Sequence, residues 1–372
     1  MGSAELRIGI DAFPLAGRPA GIGRYVLEIC RELDHEMPNS RFYLYSPMPI
    51  SAELPSSRWS VRVAGARLAR FLSSYAWLKV HVRRLCLADR VDVFWATRTL
   101  APAPSASFKT VSTVHDLNGL LYPQSMPFAT MWAHRLCFHR DVRGADAVVA
   151  NSFGTSERLL SMMGINAAAI ARPGVAPVFR PLDAGFVVEK LEKMGIGIPY
   201  FLAVGTLEPR KNLVSLIEAF DALKRSGRAE GFALLIAGSR GWRDGKISSV
   251  LNSRNEGDVR WLGFVPDGEL AVLYSGATAL VLPSLYEGFG IPALEARACG
   301  APLVATDIPE IREAGGAGGI YVPPTREGLC EGLLRAIESG GSRSEPSDLH
   351  SWHTAARTMA TLFTELAKAK EI

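Results

Sequence analysis

Seven residues separate Glu287 from Glu295, and Gly288, Phe289, Gly290, Ile291 and Pro292 lie between them. An apolar run ends at Pro283 just before, so the segment reads as strand, loop and helix. Pro292 suits the first helical position and Gly300 suits the helix end. A helix N-terminus offers unpaired N–H groups and the positive end of a dipole, which attracts anions. The glycines let a ligand approach the backbone closely. On this reading Glu295 falls in the first helical turn and leans back toward the same end. Carboxylates do not hold phosphate without a metal, so hydroxyls are their natural partners. Isolated glutamates would merely cap the loop and complement the dipole. The two glycines, the proline and the strand–loop–helix context favour a ligand site.

Arg210 and Lys211 occupy a second strand-to-helix turn. Cations there can neutralise a diphosphate, and arginine can bind one through two donors. The plain alternative is a solvated basic turn. His115 ends a predicted strand at 110–115. In open α/β sheets, ligands sit outside the carboxyl ends of strands, which makes His115 a candidate despite the many histidines that are only structural. Gly21 and Gly23 lie in the first strand-to-helix loop, with Arg24 and Tyr25 as weaker candidates beside them. The dinucleotide fingerprint G-x-G-x-x-G is not completed, because Val26 stands where its third glycine would. No G-x-x-x-x-G-K-[ST] is present. A nicotinamide enzyme and a P-loop nucleotidase are both disfavoured.

Positioning such groups requires βα units, and the chain supplies them. Short apolar runs alternate with segments of helical period, the pattern of parallel sheets. Strands are expected at 6–10, 42–45, 91–95, 110–115, 147–150, 200–204, 232–237, 259–262, 279–282 and 302–305. Helices are expected at about 23–36 and 212–224. Between 172 and 199, Pro173, Pro177, Pro181 and Pro199 interrupt the pattern, as in a linker. The expected layout is one Rossmann-like domain over 1–175, a linker over 176–199 and a second domain over 200–345. A helical segment over 346–372 would pack back on the first.

The chain has 372 residues and a net charge of +4, which suits two domains and gives no argument for nucleic acid. Its five cysteines are scattered, with no C-x-x-C pair, so neither a disulfide framework nor a zinc cluster is expected. The first residues lack a basic start followed by an apolar run, and no stretch approaches 18 apolar residues. A cytoplasmic protein is expected. Residues 67–90 combine Arg67, Arg70, Lys79, Arg83, Arg84 and Arg90 with Phe71, Tyr75 and Trp77. That mixture suits an anionic membrane surface, or equally a core-facing helix with a solvated basic face.

Glu287-x7-Glu295 with its glycine loop resembles the E-x7-E signature of retaining glycosyltransferases of family GT4. Three further runs are similar to that family's motifs in the same order: Gly21-Ile22-Gly23-Arg24-Tyr25, Ala145-Asp146-Ala147-Val148-Val149-Ala150-Asn151-Ser152, and Val204 to Asn212. The resemblance covers nearly the whole chain and implies the GT-B fold, two facing Rossmann-like domains with an inter-domain cleft. It implies that Lys211 and the neighbouring Arg210 contact the donor phosphates. His115 and Glu287 would lie at the donor sugar, and Val265 would hold the nucleobase through backbone. Gly288, Phe289, Gly290, Ile291 and Glu295 would complete the donor site. By their own chemistry the N–H groups of the Gly21 and Gly23 loop can face either the diphosphate or the acceptor, with Arg24 and Tyr25 on the acceptor side. No metal and no cofactor is expected. The chain contains no D-x-D triplet, with which enzymes of the other large glycosyltransferase fold hold a metal on the diphosphate.

The stretch from Gly205 to Asn212 looks like bacterial mannosyltransferases of polysaccharide assembly. GDP-mannose is therefore the first choice of donor and a UDP-hexose the second, with a saccharide or lipid-linked oligosaccharide as acceptor. A sugar-nucleotide epimerase of the same fold, or a non-catalytic sugar-nucleotide-binding subunit, are the alternatives.

Overall fold

The structure is a computed structural model that describes residues 5–17, 21–64, 74–123, 137–197, 199–241, 244–252, 257–340 and 348–370. The chain divides into two compact units. The first comprises Met1–Leu117, Trp132–Gly174 and His350–Ile372, and the second Asn118–Met131 and Val175–Leu349.

In the first unit, β1 (Arg7–Asp11), β2 (Arg41–Ser46), β3 (Trp59–Val63), β4 (Val93–Ala96), β5 (Lys109–Val114), β6 (Ala147–Ala150) and β7 (Ala169–Ile170) form one parallel sheet. Its order is β3-β2-β1-β4-β5-β6-β7. In the second unit, β8 (Tyr200–Val204), β9 (Ala233–Ala237), β10 (Val259–Gly263), β11 (Ala279–Leu282), β12 (Leu303–Thr306) and β13 (Ile320–Val322) pair in the order β10-β9-β8-β11-β12-β13, also parallel. Both sheets wind outward from their first strand and then return to its other side. That is the doubly wound Rossmann order, and its crevice opens where the winding reverses. The reversal lies between β1 and β4 in the first unit and between β8 and β11 in the second.

The sequence explains these strands simply. Ala233–Ala237 and Ala279–Leu282 are apolar throughout and buried throughout, as strands covered on both faces must be. Strands 147–150, 200–204 and 279–282 occur with the expected bounds. β3, β7 and β13 were not expected. β3 and β7 lie at sheet edges, β7 and β13 have two and three residues, and β3 has partly exposed positions, so none carries a clear apolar run. β5 stops at Val114, so His115 is the first residue past the strand rather than its last.

One expectation needs correction, and one segment with two readings takes a single one. Residues 176–199 are not a plain linker, because the helix Ala184–Lys193 forms between the prolines. Asp183 caps it by accepting from the Phe186 N–H. Val187 and Leu191, four apart on one face, join Tyr200, Leu273 and Tyr274 in the core of the second unit. Residues 67–90 had two equal readings, and their described part takes the core-facing one. Residues 67–73 lie outside the described residues. In the rest, Trp77, Leu78 and Val82 are buried with Tyr45, Phe94 and Phe108. Lys79 pairs with the buried Asp141 at 2.6 Å. Trp77, which would have dipped into lipid, instead faces the protein core. Among the described residues no helix is long and apolar enough to cross a membrane.

The C-terminal helix Trp352–Lys368 belongs to the first unit and packs against the helix Ile22–Glu36. Trp352, Ala356, Met359 and Phe363 share one core with Tyr25, Ile29, Leu33 and Trp95. Phe363 is fully covered. Phe363→Ala should lower stability by about 3–5 kcal/mol, the usual cost of a phenylalanine-sized cavity. Urea unfolding followed by tryptophan fluorescence would show it as a lower midpoint, with secondary structure retained before the transition.

Candidate active site

The carboxyl ends of β8 and β11 meet at the reversal of the second sheet, and the sequence places its charged loops there. After β8 the chain passes Gly205 and forms a short helical turn at Pro209–Lys211, which ends on Asn212 in the left-handed region at φ 52°. Asparagine tolerates that conformation, and its side chain donates to Pro324 O at 2.9 Å. After β11 the chain runs through Pro283 and Ser284 to Glu287. Leu285 N–H donates to Arg210 O at 2.9 Å, and Arg210 Nη1 donates to Tyr286 O at 2.7 Å. The two loops are thus joined backbone to backbone before any ligand arrives.

Glu287 completes the junction. Its Oε2 accepts from Arg210 Nη1 at 2.8 Å. Its Oε1 accepts from Lys211 Nζ at 2.5 Å and from Ser284 Oγ at 2.6 Å. The Glu287 side chain is 9% exposed, and those of Arg210 and Lys211 are each 13% exposed. Burial alone would raise the Glu287 pKa. The charges of Lys211 and Arg210, with the bonds from Lys211 and Ser284, outweigh burial and hold it at about 2. The carboxylate is therefore ionised throughout the physiological range. Glu208 stands 3.5 Å from Arg210 Nη2 with 26% of its side chain exposed, a weaker contact.

Two glycines make the junction possible. A Cβ on Gly238 would lie 2.0 Å from the carbonyl oxygen of Gly205, and a Cβ on Gly205 would lie 3.2 Å from Lys211 Cε. The backbones past β8 and β9 touch, and the Lys211 stem lies against bare backbone. Both glycines have positive φ, at 149° and 145°.

The helix Ile291–Ala298 starts beside Glu287, with Gly290 as its left-handed N-cap at φ 98°. Pro292 is its second residue rather than its first, a correction that places the N–H of Ile291 ahead of the proline. The N–H groups of Gly290 and Ile291 make no hydrogen bond among the described residues, whereas Ala293 N–H returns to Gly290 O at 2.9 Å. Gly288 is half-buried. Glu295 departs from its expected place. It is the fifth helical residue, past the first turn, buried, and accepts from the Tyr274 hydroxyl at 3.0 Å. One of its carboxylate oxygens is thus held by the neighbouring helix Asp267–Gly276. Phe289 and Val265 are also core residues by side chain, so only their backbones could serve a ligand.

In the first unit, His115 is buried just past β5. Its Nε2 lies 2.7 Å from Thr97 O. A carbonyl only accepts, so Nε2 carries the proton and Nδ1 is left as an acceptor in the neutral ring. Burial lowers the His115 pKa from its ordinary 6.5, more than the bond to Thr97 and the charge of Asp116 raise it. Tyr25 stands edge-on to His115 at 4.8 Å and also touches Trp95 and Trp352. Its hydroxyl donates to Ala171 O at 2.9 Å. Tyr25 is therefore a buried packing residue, which corrects its expected exposure to an acceptor: every third or fourth residue of an amphipathic helix must face the core. Gly21 is the helix N-cap at φ 51°, Gly23 is buried in the first turn, and Arg24 is half-buried.

With this geometry in view, similarity to known proteins is informative. Residues 19–177 match the family described as "Glycosyltransferase Family 4", and residues 189–357 match "Glycosyl transferases group 1". The chain is a glycosyltransferase of these families. It is 28% identical over 338 residues to O-antigen chain mannosyltransferase B of Escherichia coli, covering 87% of this chain and 88% of that protein. It is 29% identical over 226 residues to O-antigen chain mannosyltransferase RfbU of Salmonella typhimurium, covering 61% and 60%. Sucrose-phosphate synthase from Thermosynechococcus elongatus shares the fold, with a TM-score of 0.71 and 18% identity over 98% of this chain and 94% of that one. The architecture of the glycosyltransferase is thus GT-B, with two Rossmann-like domains.

Sequence motifs pointed to Glu287, Arg210 and Lys211, and the structure brings all three together. Ser284, Gly205 and Gly238 carried no assigned role, although a glycine directly after each of two adjacent strands was a visible signal. The low pKa of Glu287 has a consequence for stability. A depressed carboxylate stabilises the fold above its ordinary 4.5, and that contribution is lost as pH falls toward about 2. Glu287→Gln should cost about 3–5 kcal/mol at pH 7 by leaving buried cations unpaired. Urea titrations across pH should show its deficit against wild type shrinking between pH 4.5 and pH 2.

Proposed function

We propose that this glycosyltransferase moves a mannosyl group from GDP-mannose to a saccharide acceptor, with retention of anomeric configuration, in cell-surface polysaccharide assembly. The observation that carries the reading is the pair of cations at the end of β8, held by one buried carboxylate beside two unused N–H groups at a helix start. A nucleoside diphosphate fits that chemistry. Arg210 and Lys211 would meet the phosphates through donors not spent on Glu287, and Gly290 and Ile291 would add backbone N–H groups. The exposed Glu208 contact is the one an arriving phosphate displaces.

Bond cleavage at the anomeric carbon sends negative charge onto the leaving diphosphate. Arg210, Lys211 and the helix start are already oriented for that charge, so little reorganisation is needed as it grows. This replaces the work a divalent ion would do. Glu287 acts mainly by positioning. Three of its roughly four acceptor sites are taken by Lys211, Arg210 and Ser284, which leaves about one for a sugar hydroxyl. His115 is neutral and offers Nδ1 as an acceptor, so it serves as a hydroxyl contact and not as a cation.

Mannose rests on the two mannosyltransferase relatives, and GDP on the sequence resemblance alone, with a UDP-hexose as the second choice of donor. A lipid-linked oligosaccharide is the acceptor that polysaccharide assembly calls for. It would place the enzyme at the inner face of a membrane as a peripheral protein.

Two measurements check the proposal. GDP-mannose should raise the melting temperature more than UDP-glucose or GDP-glucose does, because a tighter ligand stabilises more by mass action. A larger shift with UDP-glucose would sink the assigned donor. Lys211→Ala should lose transfer by about 100-fold or more, the scale of removing one transition-state donor, with its circular dichroism unchanged. Near-normal turnover in that variant would refute the role of the cation.

A further inference from the structure

The reversal of the first sheet, between β1 and β4, carries its own cluster, and no motif in the sequence marks it. Asp11 ends β1 and is fully buried. Arg98 lies just past β4 and reaches back to it. Nε donates to Asp11 Oδ2 at 2.7 Å and Nη2 to Oδ1 at 3.3 Å. The Phe13 ring lies under the guanidinium at 4.2 Å, and Phe13 N–H donates to Asp11 Oδ1 at 3.2 Å. Arg98 is 18% exposed, and its Nη1 makes no hydrogen bond among the described residues.

The turn that aims Arg98 is strained and pinned. Thr99 has φ 72°, a left-handed conformation that costs a β-branched residue of order 1–3 kcal/mol. Its hydroxyl donates to Thr113 O at 3.0 Å, and Ser112 Oγ donates to its carbonyl at 2.8 Å. Thr97 Oγ1 donates to Asp11 O at 2.7 Å, while Thr97 O takes the proton of His115 Nε2. Thr97, Arg98 and Thr99 therefore join β1, β5 and His115 in one rigid piece. Such strain persists only where surrounding bonds enforce it, and here they enforce the direction of one arginine.

We propose that Arg98, clamped by Asp11 and aimed by the Thr97–Thr99 turn, is the residue with which the first unit recognises neighbouring hydroxyls of a sugar. The charge balance selects this ligand. One arginine faces one fully buried carboxylate, so the pair is neutral and has little to offer a phosphate. It keeps planar N–H donors that match two adjacent hydroxyl oxygens, and His115, bonded to Thr97 O through Nε2, leaves its Nδ1 as an acceptor. Arg210 and Lys211 of the second unit differ in this respect, since two cations there share one buried carboxylate. The inference rests on the glycosyltransferase assignment and not on the identity of the donor. The hydroxyls belong either to the transferred hexose or to the acceptor sugar, and the same experiment separates them.

Arg98→Gln and Arg98→Lys remove the planar fork, and the lysine variant keeps the charge. Calorimetry would titrate each variant and the wild type with GDP, GDP-mannose, UDP-glucose, methyl α-D-mannopyranoside and methyl α-D-glucopyranoside. Thermal melts would verify that each variant is folded, and the lysine variant serves if the glutamine variant is not. Recognition of the acceptor predicts a loss of about 10- to 100-fold for a methyl glycoside in both variants, with nucleotide-sugar affinity unchanged. Recognition of the donor predicts that GDP affinity stays while the advantage of the nucleotide sugar over it disappears. Unchanged affinities for every sugar probe would overturn the proposal, as would an equal loss for GDP itself or a wild type that binds no sugar moiety. A wild type that prefers UDP-glucose would sink only the assigned donor and leave the test of Arg98 intact.

Discussion

The carboxylate of Glu287, buried and yet ionised, is the contact that holds the two charged loops of the second unit together. Two loops that follow different strands carry the cations and the glycine turn. Coulomb repulsion between Arg210 and Lys211 would drive those cations apart without a negative charge between them. Glu287 supplies that charge at 2.8 and 2.5 Å, and Ser284 supports it at 2.6 Å. The cost of burying the carboxylate is offset by its partners, as its low pKa shows. A buried ion network of this kind adds little net stability over a well-packed apolar one. What it gives is direction, holding two otherwise flexible side chains at the carboxyl ends of β8 and β11.

The strand order determines where such contacts can form. Both sheets reverse beside their first strand, and both place charged residues at the reversal. The two clusters differ in balance. Arg210 and Lys211 share one buried carboxylate, whereas Arg98 has Asp11 to itself. We read the first balance as suited to phosphate charge and the second as suited to neutral hydroxyls. The same topology provides each of them, and single residues set the sign.

The sequence was most legible where one local rule acted. Strands such as Ala279–Leu282 are buried on both faces, so continuous apolar runs marked them with the right bounds. The glycine loop and its cations were legible because strand, turn and helix signals coincided there. Edge strands such as β7 are too short to carry a period. Glu295 was misplaced because the helix starts one residue earlier than expected, which moves it from the fourth to the fifth helical position. Tyr25 looked like a surface residue by motif, but tertiary packing claims it. Arg98 left no trace at all, since its meaning comes from Asp11, 87 positions away, and from a strained threonine that no composition reveals.

The central claim is that the Glu287-held cations bind the diphosphate, and the most direct test isolates one phosphate group. Calorimetry would compare GDP with GMP for the wild type and for Lys211→Gln. The account predicts that wild type prefers GDP and that the variant loses about tenfold or more of that preference, while GMP affinity changes little. An equal preference for GDP in both proteins would contradict it.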